Sequence, residues 1–393
     1  MVTCALTIGV AVAASGGAAV TSATAATAHP ASISITSFTN NFSGLKQLKA
    51  LAAEGKGKVA AILPDTTSST RYVEFDEPDI KAAAKAAGLP SSDVIVQNAN
   101  GSDTTFLTDA QADITNGASV LLIDPEDSGT GVKVENLAKQ HGVDVIDYDR
   151  LDLGGPADDY VSFNNVNVGK LIGKGFVACV QQWHVSHPNV IMMHGAPTDN
   201  NATLFSEGYD GVLAPYFKSG KYTEVANTAG TWNPTSPAPD ALQEFEAAYT
   251  AHPTANSAVI PNDENGAPII TYLKSKGVKP NTFPTTGQDA TLTGLQNILS
   301  GYQCGTVYKA VYKEAGAAVA LAIYDRAGKT APKALLNGVT TDPTNHDKVK
   351  SVLLAPEWVT AKNMKSTIVA DKFVPTKQLC AGTYKADCTK YGI

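Results

Sequence analysis

From Lys58 to Leu354 short apolar runs alternate with segments whose apolar residues recur at helical spacing, and this alternation constrains the fold more than any other feature of the chain. Lys58-Val59-Ala60-Ala61-Ile62-Leu63 reads as a first buried strand. Asp79 to Gly88 then sets Ile80, Ala83, Ala84 and Ala87 on one helical face and stops at Gly88, and Asp93 to Gln97 reads as the next strand. A helix over Asp103 to Asn116, the strand Val120 to Ile123, a helix over Val132 to Gln140 and the strand Val143 to Tyr148 continue the pattern. Such βαβ alternation predicts an α/β fold with a parallel sheet covered by helices on both faces.

The alternation restarts at Tyr160-Val161-Ser162-Phe163 and the helix Val166 to Val180. Strands follow at Asn189 to Met193, near Tyr222 to Ala226, at Ala258 to Ile260, Phe283 to Thr286 and Gly305 to Tyr308, with helices between them and a long helix over Ala310 to Ala327. At 393 residues the chain exceeds one ordinary domain, so two similar doubly wound lobes joined by several crossings fit better than one giant sheet. The expected division is 58–162 plus about 310–345 for lobe 1, 163–309 plus about 346–375 for lobe 2, a linker over 29–57 without a sustained apolar period, and a polar tail over 376–393.

The stretch from Cys4 to Ala28 precedes the first positively charged residue, Lys46, and is rich in Ala, Val, Gly, Ser and Thr. It reads as an export signal over 1–28, with an apolar segment too short to span a bilayer and a small-x-small cleavage site at Ala26-Thr27-Ala28. It departs from the usual pattern in having no basic n-region. A lipid anchor on Cys4 is the alternative, although no apolar run precedes it. The expected location is extracytoplasmic, periplasmic or at the cell surface. Cleavage would leave Cys179, Cys304, Cys380 and Cys388, an even number that suits an oxidising compartment. Cys380 with Cys388 reads as a local staple. Cys179 and Cys304 read either as a second disulfide or as two buried thiols.

Strand ends carry the polar groups. Asp65 is followed by Arg71 and Tyr72; then come Asp149 and Arg150, Asp199 to Asn201, Asn262 and Asp263, Gln288 and Asp289, and Lys309. In an open α/β sheet ligands bind outside the carboxyl ends of the strands, so this recurrence implies a converging pocket. Each hydroxyl of a neutral polyol donates and accepts; carboxylates accept from it, Arg and Lys donate to it, and Asn does both. Trp232, in a loop marked by Pro234, Pro237 and Pro239, offers a flat apolar face for the C–H side of a sugar ring. Singly, each group has a plainer reading: the Asp-Arg neighbours as a surface or interlobe ion pair, Asn-Asp as a helix cap, Trp as core. Independent caps, however, do not require that at least five strands end this way.

Other chemistries fit poorly. The net charge of -7, from 30 Lys plus Arg against 37 Asp plus Glu, gives no footprint for nucleic acid or anionic membrane. Asp124 to Glu135 has acidic residues at calcium-loop offsets, but Pro125 and the helix start expected at Val132 argue against that loop. Gly129-x-Gly131 lacks the third glycine of a dinucleotide turn. His184-x-x-His187 has no further ligands, and there is no phosphate loop, nucleophile elbow or His-Glu-x-x-His. Asp149 and Asp289 form a conceivable glycosidase pair, yet neighbouring cations would keep both ionised and leave no proton donor. No catalytic residue, metal or cofactor is expected.

Several longer motifs coincide: Asn98-Ala99-Asn100-Gly101, Tyr148-Asp149-Arg150, Tyr160 to Asn165 with Val168-Gly169, Asp199 to Ala202 through Leu204-Phe205, Gly287 to Ala290, and Thr306 to Lys309. Through them the chain, from about Lys58 to Phe373, resembles the type I sugar-binding proteins of bacterial ABC importers, most closely the D-xylose-binding group. The resemblance implies a hinged, two-lobed, monomeric protein that closes on one aldopyranose and delivers it to an ABC permease. It implies ligand contacts at Arg71, Asp149, Arg150, Asn201, Asn262, Asp289 and Lys309, with Tyr72 where the xylose group tends to have another aromatic. Trp232 matches the family's Gly-Trp-x-Pro loop only loosely, since Thr231 replaces the glycine. The tail with Cys380 and Cys388 has no matching counterpart. A receptor serving a signalling or chemosensory partner, and a secreted sugar-processing enzyme, are the competing functions.

Overall fold

The computed structural model describes residues 1–3, 33–236 and 239–393. The segment read as an export signal, including Cys4, lies outside the described residues apart from its first three, as do Pro237 and Ala238 of the proline-marked loop. Among the described residues no helix is long and apolar enough to cross a membrane.

The chain folds as two α/β lobes, as the resemblance implies. In the first, β1 (Lys58–Leu63), β2 (Val94–Asn98), β3 (Ala118–Ile123), β4 (Asp144–Tyr148) and β5 (Asp159–Phe163) pair in parallel in the order β5-β4-β3-β1-β2. The apolar runs of β1 and β3 are buried almost without interruption, as expected of strands covered on both faces. In the second lobe β6 (Asn189–Met192) lies between β7 (Thr223–Asn227) and β8 (Ser257–Val259), again in parallel. β9 (Thr306–Tyr308) pairs antiparallel with β12 (Glu357–Val359), with β10 (Gly338–Thr341) and β11 (Lys348–Leu354) between them along the chain.

The chain passes between the lobes between β5 and β6, between β9 and β10, and between β11 and β12. At these crossings Asn164 N–H donates to Leu354 O at 2.9 Å, tying two connections together. The helix Val311–Arg326 follows Lys309 directly and is buried on nearly every side. Its Gly-Ala-rich middle allows that packing: a Cβ on Gly316 would stand 2.9 Å from the Phe38 ring.

Several expectations need revision. Residues 346–375 were assigned to the second lobe, but β11 pairs in parallel with β5 in the large sheet, with β10 antiparallel outside it. A strand's partner is set by tertiary contacts that its own residues do not encode. The segment over 29–57 is no mere linker where it is described: a helical turn over Ser43–Leu48 and the helix Lys49–Glu54 bury Leu45, Leu48 and Ala52 in the main core, with Phe38 and Phe42. The tail over 376–393 is likewise packed, burying Leu379 and Cys388.

Phe283 to Thr286 forms no regular ladder. Ala258 N–H donates to Pro284 O at 2.9 Å, and the Thr286 hydroxyl accepts from Ile260 N–H and donates to Ile260 C=O, both at 2.8 Å, so a side chain replaces a rung of the sheet. Both cysteine pairs are disulfides, and the reading of Cys179 and Cys304 as free thiols is set aside. Cys179, on the helix Asn165–Gln182, joins Cys304 across 125 residues, and Cys380 joins Cys388 across 8.

Candidate functional site

The loop after β1 opens the site. Asp65 accepts from the Thr67 and Ser68 N–H groups at 2.6 and 2.7 Å, folding the turn that leads to Arg71. A π-helical turn over Tyr72–Asp76 follows before the helix Glu77–Ala87, and such insertions recur at functional sites because they re-aim side chains. Here the turn brings Asp76 back onto the guanidinium of Arg71, at 2.8 Å to Nε and 2.7 Å to Nη2.

Arg71 is a buried hub. Beyond Asp76 it meets Glu314 of the long buried helix at 2.6 Å and Asp149, just past β4, at 3.1 Å. The Tyr148 hydroxyl donates to Asp76, fixing the acid that fixes the arginine. Burial opposes the Arg71 charge, but Asp149, Asp76 and Glu314 hold its pKa well above the ordinary value. For Asp149 burial alone would favour the neutral acid; Arg71, Lys309 and Arg150 reverse this and bring the pKa to about 2. Glu314 goes the other way, pushed up to about 8 by burial despite Arg71, with Asp149 and Asp76 adding repulsion.

Asp149 sits at φ 62° and Asp289 at φ 85°, in the left-handed region. Non-glycine residues are held there at some cost, and only where surroundings over-determine the backbone. At Asp149 those surroundings are explicit. Its carbonyl accepts from Asn201 Nδ2 at 3.0 Å, Ser162 Oγ at 2.7 Å and Tyr160 OH at 3.3 Å. Asn201 is itself held by Asn165 at 2.7 Å. Lys309, at a crossing between lobes, stands 3.2 Å from Asp289 and 3.8 Å from Asp149.

Arg150 forms a second cluster, pairing with Asp124 at 3.2 Å and Asp199 at 3.1 Å and donating to Pro125 O at 3.1 Å. The Tyr72 ring centre is 5.5 Å from each of the two guanidiniums, within the range of cation–π attraction. Trp232 Nε1 donates to Asp199 at 2.8 Å while its ring meets Phe205 edge-on at 6.3 Å. Gly195 makes room for that ring, since a Cβ there would lie 2.2 Å from it.

The strand-end groups at Asp199 and Asn262 do act as helix caps, and capping leaves part of their bonding capacity free for other side chains. Asp199 caps the helix Asn200–Lys218 and Asn262 caps the helix Asp263–Ser275. With their remaining capacity Asp199 takes Arg150 and Trp232, and Asn262 Nδ2 donates to Ser68 O at 3.3 Å. Ser69 Oγ to Asp289 at 3.3 Å and Thr70 N–H to Glu264 at 3.2 Å complete the contacts from the β1 loop to the second lobe.

Arg71, Tyr72, Asp149, Arg150, Asn201, Trp232, Asn262, Asp289 and Lys309 all line one cavity of about 20 Å³, with room for about one water molecule. Sequence reading left five of its walls unassigned. Asp199 and Gln288 were seen only as strand-end groups, Phe205 only within a motif, and Ser68 and Ser69 not at all; the serines sit in a loop with no period to flag them. Asp76 and Glu314 were also missed, because they act through Arg71. A wider cavity of about 430 Å³ adjoins the first, sharing Ser68, Arg150 and Trp232. Inside the site Arg71 Nη1, Asp149 Oδ1, Asp289 Oδ1 and Gln288 Oε1 are buried without a hydrogen bond. Donors and acceptors thus face the same small space, as recognition of vicinal hydroxyls requires.

Residues 59–330 match the periplasmic binding protein domain family. The chain is 35% identical over 300 residues to the D-xylose-binding periplasmic protein of Escherichia coli (strain K12), covering 75% of this chain and 86% of that protein. It is 30% identical over 329 residues to the multiple sugar-binding periplasmic protein SbpA of Azospirillum brasilense, covering 81% and 89%. Among solved structures, an ABC transporter solute binding protein from Clostridium phytofermentans with bound β-D-glucose superimposes with a TM-score of 0.72 at 25% identity, covering 82% of this chain and 99% of that one.

Proposed function

The chain belongs to the periplasmic binding protein family, and we propose that it captures a monosaccharide, D-xylose in its pyranose form, outside the cytoplasm and hands it to an ABC permease. The supporting observation is the set of buried polar atoms on Arg71, Asp149, Asp289 and Gln288, ion-paired or alone but without hydrogen bonds, which converge from both lobes. A sugar hydroxyl can donate to Asp149 or Asp289 and accept from Arg71, Arg150, Lys309 or an amide in the same contact. Its C–H face has Trp232, Phe205 and Tyr72 to lie against.

The mechanism is hinge closure. Ser68 with Asn262, Ser69 with Asp289 and Arg150 with Asp199 now touch across the lobes, so an aldopyranose enters only when these contacts part. Rotation about the crossings at Asn164, Lys309 and Ala355 opens the space, and closure replaces the cross-lobe contacts with contacts through the ring. A hydroxyl missing from the ligand leaves a buried group unpaired at about 1–3 kcal/mol, the source of discrimination among aldoses. The 35% identical relative named for D-xylose favours that pentose. Glycoside hydrolysis is disfavoured because Asp149, with a pKa of about 2, is no proton donor at neutral pH.

A thermal-shift screen against D-xylose, D-glucose, L-arabinose, D-galactose and D-ribose tests the reading, since selective ligand binding raises apparent stability. The largest shift is expected with D-xylose. A larger shift with another aldose would replace the D-xylose assignment, and none with any aldose would sink the sugar-binding reading.

A further inference from the structure

Directly behind the Asp149-Arg150 turn lies a second concentration of charge that the proposed sugar site does not use. Glu135, on the helix Ser128–His141, Asp147 of β4 and Asp152, just past the turn, are 1%, 0% and 2% exposed. One carboxylate oxygen from each lies within 4.8 Å of the others.

These carboxylates lack the partners that buried charges need. Both oxygens of Glu135, Oδ1 of Asp147 and Oδ2 of Asp152 are buried without a hydrogen bond. The Ala157 N–H beside Glu135 and the Asp152 N–H on Asp147 Oδ2, at 2.8 Å, are the backbone groups turned toward them, and the Glu135 and Asp147 carboxyls lie against each other. The nearby guanidinium, Arg150, is committed to Asp124 and Asp199. Further acids, Asp124, Asp158 and Asp342, deepen the negative field.

The backbone is shaped around the cluster. A Cβ on Gly131 would fall 1.8 Å from Asp152 Oδ2, and one on Gly155 would fall 2.2 Å from Glu135 Oε2. Glycine at both places lets a helix and a loop close on the carboxylates.

We propose that Glu135, Asp147 and Asp152 form a binding site for a hard divalent cation, calcium by size and ligand type. Calcium takes six to eight oxygens at about 2.3–2.6 Å, so oxygens sharing one ion lie up to about 5 Å apart, as these do. Three carboxylates binding through one or two oxygens supply most of that shell. The site is not the linear Asp124 to Glu135 loop that the sequence superficially offers: Asp124 is taken by Arg150, and the partners of Glu135 come from the end of β4. Asp147 and Asp152 bracket Tyr148 to Leu151, so the ion would clamp the turn that presents Asp149 and Arg150.

The rival account is a carboxyl cluster that stays protonated. Burial, with Asp147 beside it, pushes Glu135 up to about 10, so a proton is the competitor. Titration calorimetry of the chelator-treated, sugar-free protein with calcium chloride separates the two and is independent of the sugar assignment. The expected result is one saturable site, a melting temperature raised by calcium, and binding weakened at least tenfold in Asp152→Asn and in Glu135→Gln. No calcium heat and no melting shift in the wild-type protein would overturn the proposal, as would undiminished binding in both variants. A preference for magnesium over calcium would overturn the choice of ion. Should a variant fail to fold, the wild-type titration still decides.

Discussion

The Arg71 guanidinium stands 3.1 Å from the Asp149 carboxylate, and the facing atoms, Nη1 and Oδ1, are buried with no hydrogen bond of their own. The pair attracts by charge while each facing atom keeps its directional bonding for a third group. Asp149→Asn keeps the shape and removes the charge that Arg71 and Lys309 share. Sugar affinity is expected to fall about 10- to 100-fold, read by calorimetry, the equivalent of about 1.4–2.7 kcal/mol. Wild-type affinity in the variant would remove Asp149 from the site.

Glu314 makes stability depend on pH. Its folded pKa of about 8 exceeds the ordinary 4.5, so the folded protein keeps a proton that the unfolded chain releases between those values. This contribution is fully present below about 4.5 and is lost as pH rises toward 8. Melting curves from pH 5 to 8 should show a smaller decline for Glu314→Gln than for the wild-type protein; an unchanged slope would contradict the assignment. Asp149 acts oppositely: its depressed pKa of about 2 gives stability that is present above the ordinary 3.8 and lost as pH falls toward 2.

Trp232 is one of three tryptophans, with Trp183 and Trp358, and it alone lines the candidate cage. A sugar seated against its ring should change the intrinsic fluorescence, and Trp232→Phe should abolish most of that change while weakening binding. A full signal in the variant would place the sugar elsewhere.

The disulfides differ in the loops they close, 125 residues for Cys179–Cys304 and 8 for Cys380–Cys388. Chain entropy assigns them about 5 and about 2.5 kcal/mol. Replacing Cys179 and Cys304 together by Ser should therefore lower the melting temperature more than replacing Cys380 and Cys388. The reverse order would show that native packing around the tail outweighs loop closure.

Sequence carried the candidate cage further than it carried its supports. Asp149, Arg150 and Lys309 stand at strand ends, where the α/β alternation itself says that ligands bind, and Asp289 follows an apolar run that reads as a strand although it forms no regular ladder, so local pattern was enough to bring the four together as candidates. Glu314 and Asp76 act only through Arg71, and Glu314 lies 243 residues from it, a separation that no local period spans. β11 was placed in the wrong sheet for a related reason: its alternating burial marks a strand but not a neighbour. The turn before Lys49 went unseen because Phe42, Leu45, Leu48 and Ala52 keep a helical spacing too short to stand out before β1.

The most direct test of the central claim is titration calorimetry of D-xylose into wild-type protein and into Asp289→Ala, with circular dichroism confirming that both are folded. The account predicts saturable one-to-one binding in the wild-type protein and its loss in the variant. Equal affinity in the two, or no heat from D-xylose or any other aldose with the wild-type protein, would contradict it.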